Sequence, residues 1–316
     1  MKSPSLGWVV VGSLTTLAAI SALTAPATAN PGATTELGES VREVNGTLVQ
    51  GPTVIAVGDI ACESDQVPTA TECQQGATAA LAQTYDPERA LILGDLQYQT
   101  GSLFEFRHSY QASWGALKSI TKPVPGNHEY RTPGAAGYFT YFRNQQPGGA
   151  GYYAFNIDNW RVYALNSNCG YIDCGRQVRW MNRNMTNNPR TCSAIMLHHP
   201  LFSSGGEHGS SVEAQRFWNI AYKHGADIAL AGHDHGYERF QRMDPSGTPA
   251  ADGMLSFVSG AGGKSLYEFG EVEGGSLVRD NHAPGVLALT LGADRFGFEY
   301  KTTDGKVMDS GVAACR

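Results

Sequence analysis

Residues 90–98, Ala-Leu-Ile-Leu-Gly-Asp-Leu-Gln-Tyr, place a carboxylate and a phenol directly after a short apolar run. An apolar run of this length that ends at a glycine is typical of a buried strand. Residues 53–60, TVIAVGDI, have the same form and carry Asp59 near their end. Because residues 72–85 between the two runs have helical spacing, the order strand, helix, strand predicts a parallel βαβ unit.

Further polar residues follow the later predicted strands, and they are Asn127, His128, His198, His233 and His235. Taken singly, an Asp after a glycine most often caps a turn, and a His near a strand end is most often a hydrogen-bonded polar residue. In an open α/β sheet, however, ligands bind at the carboxyl ends of the strands. The recurrence of Asp, Asn and His at these ends therefore predicts a mixed oxygen and nitrogen site. Imidazole ligands favour Fe, Mn or Zn over Ca or Mg.

Five short motifs resemble, in order, the motif blocks of the calcineurin-like metallophosphoesterases. They are GDIA (58–61), GDLQY (94–98), GNHE (126–129), IMLH (195–198) and GHDH (232–235). Tyr98 in the second motif resembles the purple acid phosphatase branch of that family, as do residues 151–167 and 232–239. The resemblance covers roughly residues 53–300, and five ordered motifs are far more specific than one. Ala61 departs from the usual GDxG form of the first block, but it is also a small residue.

The resemblance implies two metal ions with one shared ligand. A ferric ion would be held by Asp59, Asp95, Tyr98 and His235. A second ion, Fe(II), Zn or Mn, would be held by Asp95, Asn127, His198 and His233. Asp95 is then the bridge between the ions, and His199, next to a ligand, is interpreted as a flanking residue.

The resemblance further implies a phosphatase that hydrolyses phosphate monoesters by attack of a metal-bound hydroxide. Asn127, His128 and His208 would contact the substrate, and His128 and His208 would donate a proton to the leaving oxygen. The match of His208 rests on Glu207-His208 within GGEHG. A phosphodiesterase that uses the same metal site is the alternative, because substrate choice depends on loops such as the glycine-rich residues 131–151.

The sequence disfavours two other classes of protein. A binding or structural protein with a relic site is disfavoured, because a suitable ligand stands at every motif. A serine hydrolase is disfavoured because no GxSxG sequence follows a predicted strand.

The fold implied by the resemblance is α/β, with two mixed β-sheets face to face, helices on both outer sides and the metal site at the strand ends. Residues 102–119, 175–186 and 211–224 are predicted helices, and residues 151–167 form a predicted hairpin that turns at Asp158-Asn159. The last third of the chain is predicted to be mostly strands. With 316 residues, 41% of them hydrophobic, the chain can bury a large core. We find no internal linker or repeat and assign residues 51–316 to one domain.

The N-terminus has the features of a secretory signal. Lys2 precedes an apolar stretch at residues 8–23, and Ala27-Thr28-Ala29 is a predicted cleavage site. Residues 1–29 are therefore a predicted signal peptide, and the polar residues 30–50 are interpreted as a leader with no room for a further N-terminal domain. The net charge is −6 without a basic run, which disfavours nucleic acid and membrane partners. The resemblance described above implies small phosphorylated substrates. The predicted location is secreted or extracytoplasmic.

Six cysteines follow the predicted cleavage site, and an even number in a secreted chain indicates disulfides. Six cysteines allow 15 connectivities. Proximity in sequence favours Cys62–Cys73 and Cys169–Cys174, which leaves Cys192–Cys315. No CxxC spacing occurs, so a structural zinc site is not expected.

Overall fold

The structure, a computed structural model, describes residues 41–316, so the predicted signal peptide lies outside the described residues. Strands and helices alternate in its first part, and strands predominate after residue 227. The strands are β1 (Val41–Val44), β2 (Thr47–Gln50), β3 (Thr53–Val57), β4 (Arg89–Ile92), β5 (Thr121–Pro123), β6 (Tyr153–Ile157), β7 (Trp160–Ala164), β8 (Cys192–Met196), β9 (Ile228–Ala231), β10 (Tyr237–Met243), β11 (Met254–Ser259), β12 (Ser276–Asp280), β13 (Gly285–Leu291), β14 (Arg295–Thr302) and β15 (Val307–Ala314). The helices are α1 (Gln75–Gln83), α2 (Leu103–His108), α3 (Ala136–Tyr141), α4 (Cys174–Asn187) and α5 (Gln215–Lys223).

Two mixed sheets form the centre of the fold. The six-stranded sheet has the order β15-β14-β13-β3-β4-β5, and the seven-stranded sheet has the order β12-β10-β11-β9-β8-β7-β6. β3, β4 and β5 run parallel, as do β7, β8, β9 and β11, and the outer strands pair antiparallel. The predicted βαβ unit is confirmed, since α1 connects the parallel neighbours β3 and β4.

Side chains of successive strand residues point to opposite faces of each sheet, so the buried apolar residues form three layers. Val54 and Leu91 of one sheet meet Trp160 and Met196 of the other between the two sheets. A second layer packs the outer face of the six-stranded sheet against α1, α2 and α3, and a third packs the other outer face against α4 and α5. The expected order of layers, helix, sheet, sheet, helix, is therefore confirmed.

The predicted helices are present with changed ends. The helix predicted over 102–119 is α2 followed by two 3-10 segments, Tyr110–Ala112 and Trp114–Ile120. Ser109 lies outside helical geometry there, and its hydroxyl donates to the Cys62 carbonyl. The polar contact of a buried serine therefore interrupts a segment that has helical spacing.

Two segments that were predicted to be irregular have regular structure. Residues 41–50 of the leader form the hairpin β1-β2, which turns at Asn45-Gly46 with φ of 48° and 76°. An Asn-Gly turn between short alternating strands is a hairpin signal that the sequence analysis did not use. Within the glycine-rich residues 131–151, α3 buries Tyr138 and Tyr141 against the six-stranded sheet.

All three disulfides that proximity favoured are present: Cys62–Cys73, Cys169–Cys174 and Cys192–Cys315. Cys192 begins β8 in one sheet, and Cys315 follows β15 in the other. The third disulfide therefore joins the two sheets. No helix among residues 41–316 is long and apolar enough to cross a bilayer.

Candidate metal centre

The predicted ligands converge at the carboxyl ends of β3, β4, β5, β8 and β9. Three of them, Asp59, Asp95 and His233, have positive φ values of 62°, 45° and 75°. This left-handed conformation is unfavourable for residues other than glycine and is concentrated at functional sites. The turns after these strands therefore keep the side chains directed into one shared space.

Two glycines allow the turns to approach each other. A Cβ on Gly126 would lie 2.1 Å from Asp95 Oδ1, and a Cβ on Gly94 would lie 2.4 Å from His198 Nδ1. Neither contact is tolerable for a real side chain. The glycines of the second and third motifs are thus needed for close packing around the polar side chains.

One group, here called the phenol cluster, contains Asp59, Tyr98, His235 and one oxygen of Asp95. The Tyr98 hydroxyl lies 3.0 Å from Asp59 Oδ1, 3.2 Å from Asp95 Oδ2 and 2.9 Å from His235 Nε2. His235 Nε2 also lies 3.4 Å from Asp59 Oδ1. Four donor atoms therefore face one another, and all four residues are buried.

The other group, here called the amide cluster, contains Asn127, His198, His233 and the same oxygen of Asp95. His198 Nε2 lies 3.0 Å from Asn127 Oδ1, 3.1 Å from His233 Nδ1 and 3.3 Å from Asp95 Oδ2. Asp95 Oδ2 is thus within 3.3 Å of donor atoms in both clusters. This is the position that a carboxylate bridging two cations has to occupy.

The surrounding hydrogen bonds direct the correct imidazole nitrogens towards the centre. His198 Nδ1 donates to the Leu93 carbonyl at 2.9 Å, so Nε2 is the nitrogen that faces the other ligands. His235 Nδ1 lies 2.9 Å from the Ser265 hydroxyl, which leaves its Nε2 for the phenol cluster. Such partners fix the orientation and tautomer of metal-binding histidines.

The charges in the centre are strongly coupled. Burial alone would raise the pKa of Asp95, but the nearby His198 outweighs it and holds that pKa well below its usual range. Burial lowers the pKa of His198, but the neighbouring Asp95 carboxylate raises it by more, to about 10. Without a cation, His198 therefore holds a proton beside Asp95. A metal ion has to replace that proton, because imidazole binds metals in its neutral form.

The donor set fits two different cations. Ligand atoms of Asp59, Asp95 and His198 lie within 4.8 Å of one another, and so do those of His198, His199 and His233. The phenol cluster offers two carboxylates and a phenol. Burial and then Asp59 raise the pKa of Tyr98 well above its usual value, so a cation bound there has to displace a firmly held phenolic proton.

Of the predicted substrate residues, His128 lies beside both clusters. Its backbone N–H donates to Asp95 Oδ1 at 2.8 Å, and its Nδ1 lies 2.8 Å from the Gln99 carbonyl. Its Nε2 is then free and lies 4.0 Å from Asp95 Oδ2. The half-buried His128 can therefore exchange a proton near the bridge.

His208 lies over the amide cluster and is exposed. Its ring stacks on that of His233 with 4.1 Å between the centroids. His199, interpreted as flanking, lies 4.5 Å from the His233 ring and 2.7 Å from the Ser167 hydroxyl. Burial and then His198 lower the pKa of His199 to about 3, so its imidazole is neutral at ordinary pH.

Glu129 is a supporting residue to which the sequence analysis gave no role. Its buried carboxylate accepts backbone N–H groups of Asp95, Leu96, Gln97 and Gly126 at 2.7–3.2 Å. It therefore ties the turn that carries Asp95 to the turn that carries Asn127. Its signal in the sequence was an acidic residue inside the third motif, directly after Asn127 and His128.

The segment Lys264–Tyr267 was also missed. The Tyr267 ring stacks flat on His235, with 3.9 Å between the centroids, and the Ser265 hydroxyl contacts Nδ1 of that imidazole. Burial and then the carboxylates of Asp59 and Asp95 raise the pKa of Tyr267 to about 12. The glycine-rich residues 260–263 were the available signal for a close approach here.

Comparison with known proteins places the chain in a family. Residues 52–237 match the family model described as calcineurin-like phosphoesterase. Purple acid phosphatase 23 of Arabidopsis thaliana is 25% identical over 234 residues, which are 60% of this chain and 49% of that protein. A probable inactive purple acid phosphatase 1 of the same plant is 36% identical over 108 residues, 30% of this chain and 17% of that protein.

A solved structure shows the same fold. The purple acid phosphatase PPD1 from yellow lupin seeds superimposes with a TM-score of 0.68 at 17% identity, covering 87% of this chain and 59% of that one. The chain spans about half the length, or less, of the curated relatives it matches. Within the matched family, the similarity is to the purple acid phosphatase branch.

Proposed function

The chain belongs to the calcineurin-like phosphoesterases, and on that premise we propose that it is a secreted two-metal phosphatase that hydrolyses phosphate monoesters. The observation that carries the proposal is the position of Asp95 Oδ2, within 3.3 Å of donor atoms in both clusters. A relic site would not need to keep this shared carboxylate together with every other donor. The complete set therefore favours an enzyme over a binding protein.

We assign Fe(III) to the phenol cluster (Asp59, Asp95, Tyr98 and His235). Fe(II), Zn or Mn is assigned to the amide cluster (Asp95, Asn127, His198 and His233). Anionic oxygen donors stabilise a trivalent ion, whereas an amide and two neutral imidazoles suit a divalent one. When bound, such a pair of ions neutralises the phosphoryl oxygens and activates water as the nucleophile.

The protein residues then have separate tasks. Asn127, His128 and His208 lie at the amide cluster or over it, and we assign them to the phosphoryl group. His128 Nε2 and the exposed His208 ring can each donate a proton to the leaving oxygen, a step that is typically worth about 10²–10⁴ in rate. Their positions on separate turns allow one histidine to position phosphate while the other protonates the leaving group.

Secretion is supported by the three disulfides, which are typical of proteins in oxidising compartments. We expect the mature protein to begin at Asn30 and to interact with small phosphorylated substrates rather than nucleic acid or membranes. N-terminal sequencing of exported protein and thiol titration after denaturation test this. A titre near six thiols per chain contradicts it.

The deciding experiment measures hydrolysis of p-nitrophenyl phosphate and bis(p-nitrophenyl) phosphate, with metal content determined on the same sample. We expect about two transition metal ions per chain and a higher kcat/KM for the monoester. A higher kcat/KM for the diester would favour the phosphodiesterase alternative. Absence of bound metal, together with failure of reconstitution, would favour a binding protein.

A further inference from the structure

His208 stands at the exposed tip of a short loop. The loop, here called the His208 loop, comprises residues 203–209, of which residues 206–208 are exposed and Ser203 is buried. The His208 ring stacks on His233, and no side chain in the described part of the chain hydrogen-bonds to its nitrogens. The position of this imidazole over the amide cluster therefore depends on how the loop itself is held.

The carboxylate of Asp234 is hydrogen-bonded to both ends of the His208 loop. Its Oδ2 accepts from the Ser203 hydroxyl at 2.5 Å, and its Oδ1 accepts from the Gly209 N–H at 3.3 Å. The Ser203 hydroxyl in turn accepts from the Gly205 N–H at 3.1 Å. Because Asp234 is only 3% exposed, these contacts replace the water that its carboxylate would otherwise bind.

The loop also packs directly against this carboxylate. A Cβ on Gly205 would lie 2.1 Å from Asp234 Oδ1, a distance that no real side chain tolerates. The glycine therefore permits the close approach, and the carboxylate fills the space at the base of the loop.

The base of the loop has two further anchors. Glu238 of β10 accepts from the Ser204 N–H at 2.8 Å and from the Ser204 hydroxyl at 2.5 Å. The Ser203 N–H donates to the Ser210 hydroxyl at 3.0 Å. Neither anchor is made to Gly209, the last residue of the loop. Without the carboxylate at its base, the loop should therefore shift rather than unfold.

The turn that carries Asp234 also carries two predicted ligands. His233 Nδ1 belongs to the amide cluster, and His235 Nε2 belongs to the phenol cluster. Asp234 lies between these two residues in the chain, and both of its carboxylate oxygens are bonded to the His208 loop. One turn thus positions two ligands and the loop that carries His208.

We propose that Asp234 is a positioning residue, which holds His208 over the amide cluster at the place from which it protonates the leaving group. The inference rests on the proposed phosphatase function and deepens it by naming the residue on which the action of His208 depends. Asp234 itself touches neither substrate nor ion. Its substitution should therefore reproduce, in weaker form, the substitution of His208.

The test compares kcat for phenyl phosphate, which has a poor leaving group, with kcat for p-nitrophenyl phosphate. In Asp234→Asn, the amide nitrogen cannot accept one of the two hydrogen bonds, so the loop is held at one end only. We expect kcat for phenyl phosphate to fall about tenfold, a part of what a general acid contributes, and kcat for p-nitrophenyl phosphate to fall less. KM and the content of metal ions should stay at their wild-type values.

A double-mutant cycle with His208→Ala distinguishes positioning from a general loss of structure. If Asp234 acts through His208, then Asp234→Asn has no further effect on kcat once His208 is alanine. Ser203→Ala removes the hydroxyl that links Asp234 to the loop, so it should lower kcat in the same way and be masked in the same way. Losses that multiply in the double variants overturn the inference, as does wild-type kcat in both Asp234→Asn and Ser203→Ala.

Asp294→Asn is the matched control, because it makes the same substitution at an exposed aspartate that pairs with Arg295. The Asp294 carbonyl accepts from the N–H of Cys315, which is bonded to Cys192 at the end of β8 away from His198. Its kcat for both esters should equal that of the wild type.

Two outcomes are assigned in advance. If Asp234→Asn loses a metal ion or does not fold, Ser203→Ala decides alone, because Ser203 is not next to a predicted ligand in the chain. A wild type that hydrolyses neither ester overturns the proposed phosphatase function and this inference with it. Multiplied losses in an active enzyme overturn only the positioning role, so the two failures are distinguishable.

Discussion

The phenol cluster and the amide cluster share Asp95 but differ in charge and access. Asp59, Tyr98 and His235 are almost fully buried, and Tyr267 and Ser265 cover His235. In the amide cluster, His233 is partly exposed, and the exposed His208 lies over it. The difference supports a division of labour in the proposed enzyme: the phenol cluster would hold its ion tightly, and the amide cluster would face the substrate.

The largest effect is expected from Asp95→Asn, which changes both clusters at once. The amide lacks the negative charge that two cations share, so both ions should be lost from the protein. Turnover should fall by at least about 10³-fold, since even one charge-stabilising donor is typically worth 10²–10³. Metal analysis measures the loss of the ions, and p-nitrophenyl phosphate hydrolysis measures the loss of turnover. Two retained ions with wild-type turnover would show that the clusters are independent.

A smaller effect, confined to the amide cluster, is expected from His208→Ala. Both ions should remain, because His208 stacks on a ligand and is not one itself. Turnover should fall about 10²-fold for esters with poor leaving groups and less for good ones, which need a proton less. An equal loss for both ester types would assign His208 to phosphate positioning. Loss of a metal ion would make it a ligand and place it inside the cluster.

Glu129→Gln tests the support that the two clusters share. The amide nitrogen of glutamine cannot accept the N–H groups that the carboxylate of Glu129 accepts, so one pair of these bonds is lost. We expect metal affinity to weaken about 10–100-fold, as is typical for residues that support metal ligands. Chelator competition on the purified variant measures it. Loss of the metal ion from only one cluster would show which of the two turns depends on Glu129 for its position.

The smallest effect on turnover is expected from Tyr98→Phe, which changes only the phenol cluster. A phenolate on Fe(III) gives a visible absorption band, and the variant should lose that band. Turnover should fall by less than about tenfold, because the proton donors belong to the other cluster. The visible spectrum and kcat are measured on the same preparation. A colourless wild type with zinc or manganese and full activity would remove the ferric assignment.

Short sequence motifs predicted the ligands of the metal centre better than the residues that support those ligands. The motifs after β3, β4, β5, β8 and β9 could be found because each ligand follows a short apolar strand, and parallel strands bring their carboxyl ends together. The disulfide pairing followed from proximity in sequence. Glu129, Ser265 and Tyr267 were missed because their roles depend on backbone N–H groups and imidazole rings supplied by distant segments.

The ends of the helices also could not be predicted from the periodicity of the sequence. The break after α2 depends on the contact of Ser109 with the Cys62 carbonyl, 47 residues earlier. Similarly, α3 is stabilised by the burial of Tyr138 and Tyr141 rather than by a helical pattern of its own. The hairpin at residues 41–50, by contrast, had a readable Asn-Gly signal.

The disulfide Cys192–Cys315 also determines how the sandwich can open. Cys192 begins β8, whereas His198 follows the other end of the same strand, so the covalent link lies at the opposite end from the metal centre. Asp59, Asp95 and Tyr98 come from the six-stranded sheet, and His198, His233 and His235 come from the seven-stranded sheet. In the proposed enzyme, bound ions would link the two sheets at the end opposite the disulfide. Stripping the ions should therefore increase amide hydrogen exchange first around the strand ends that carry the ligands.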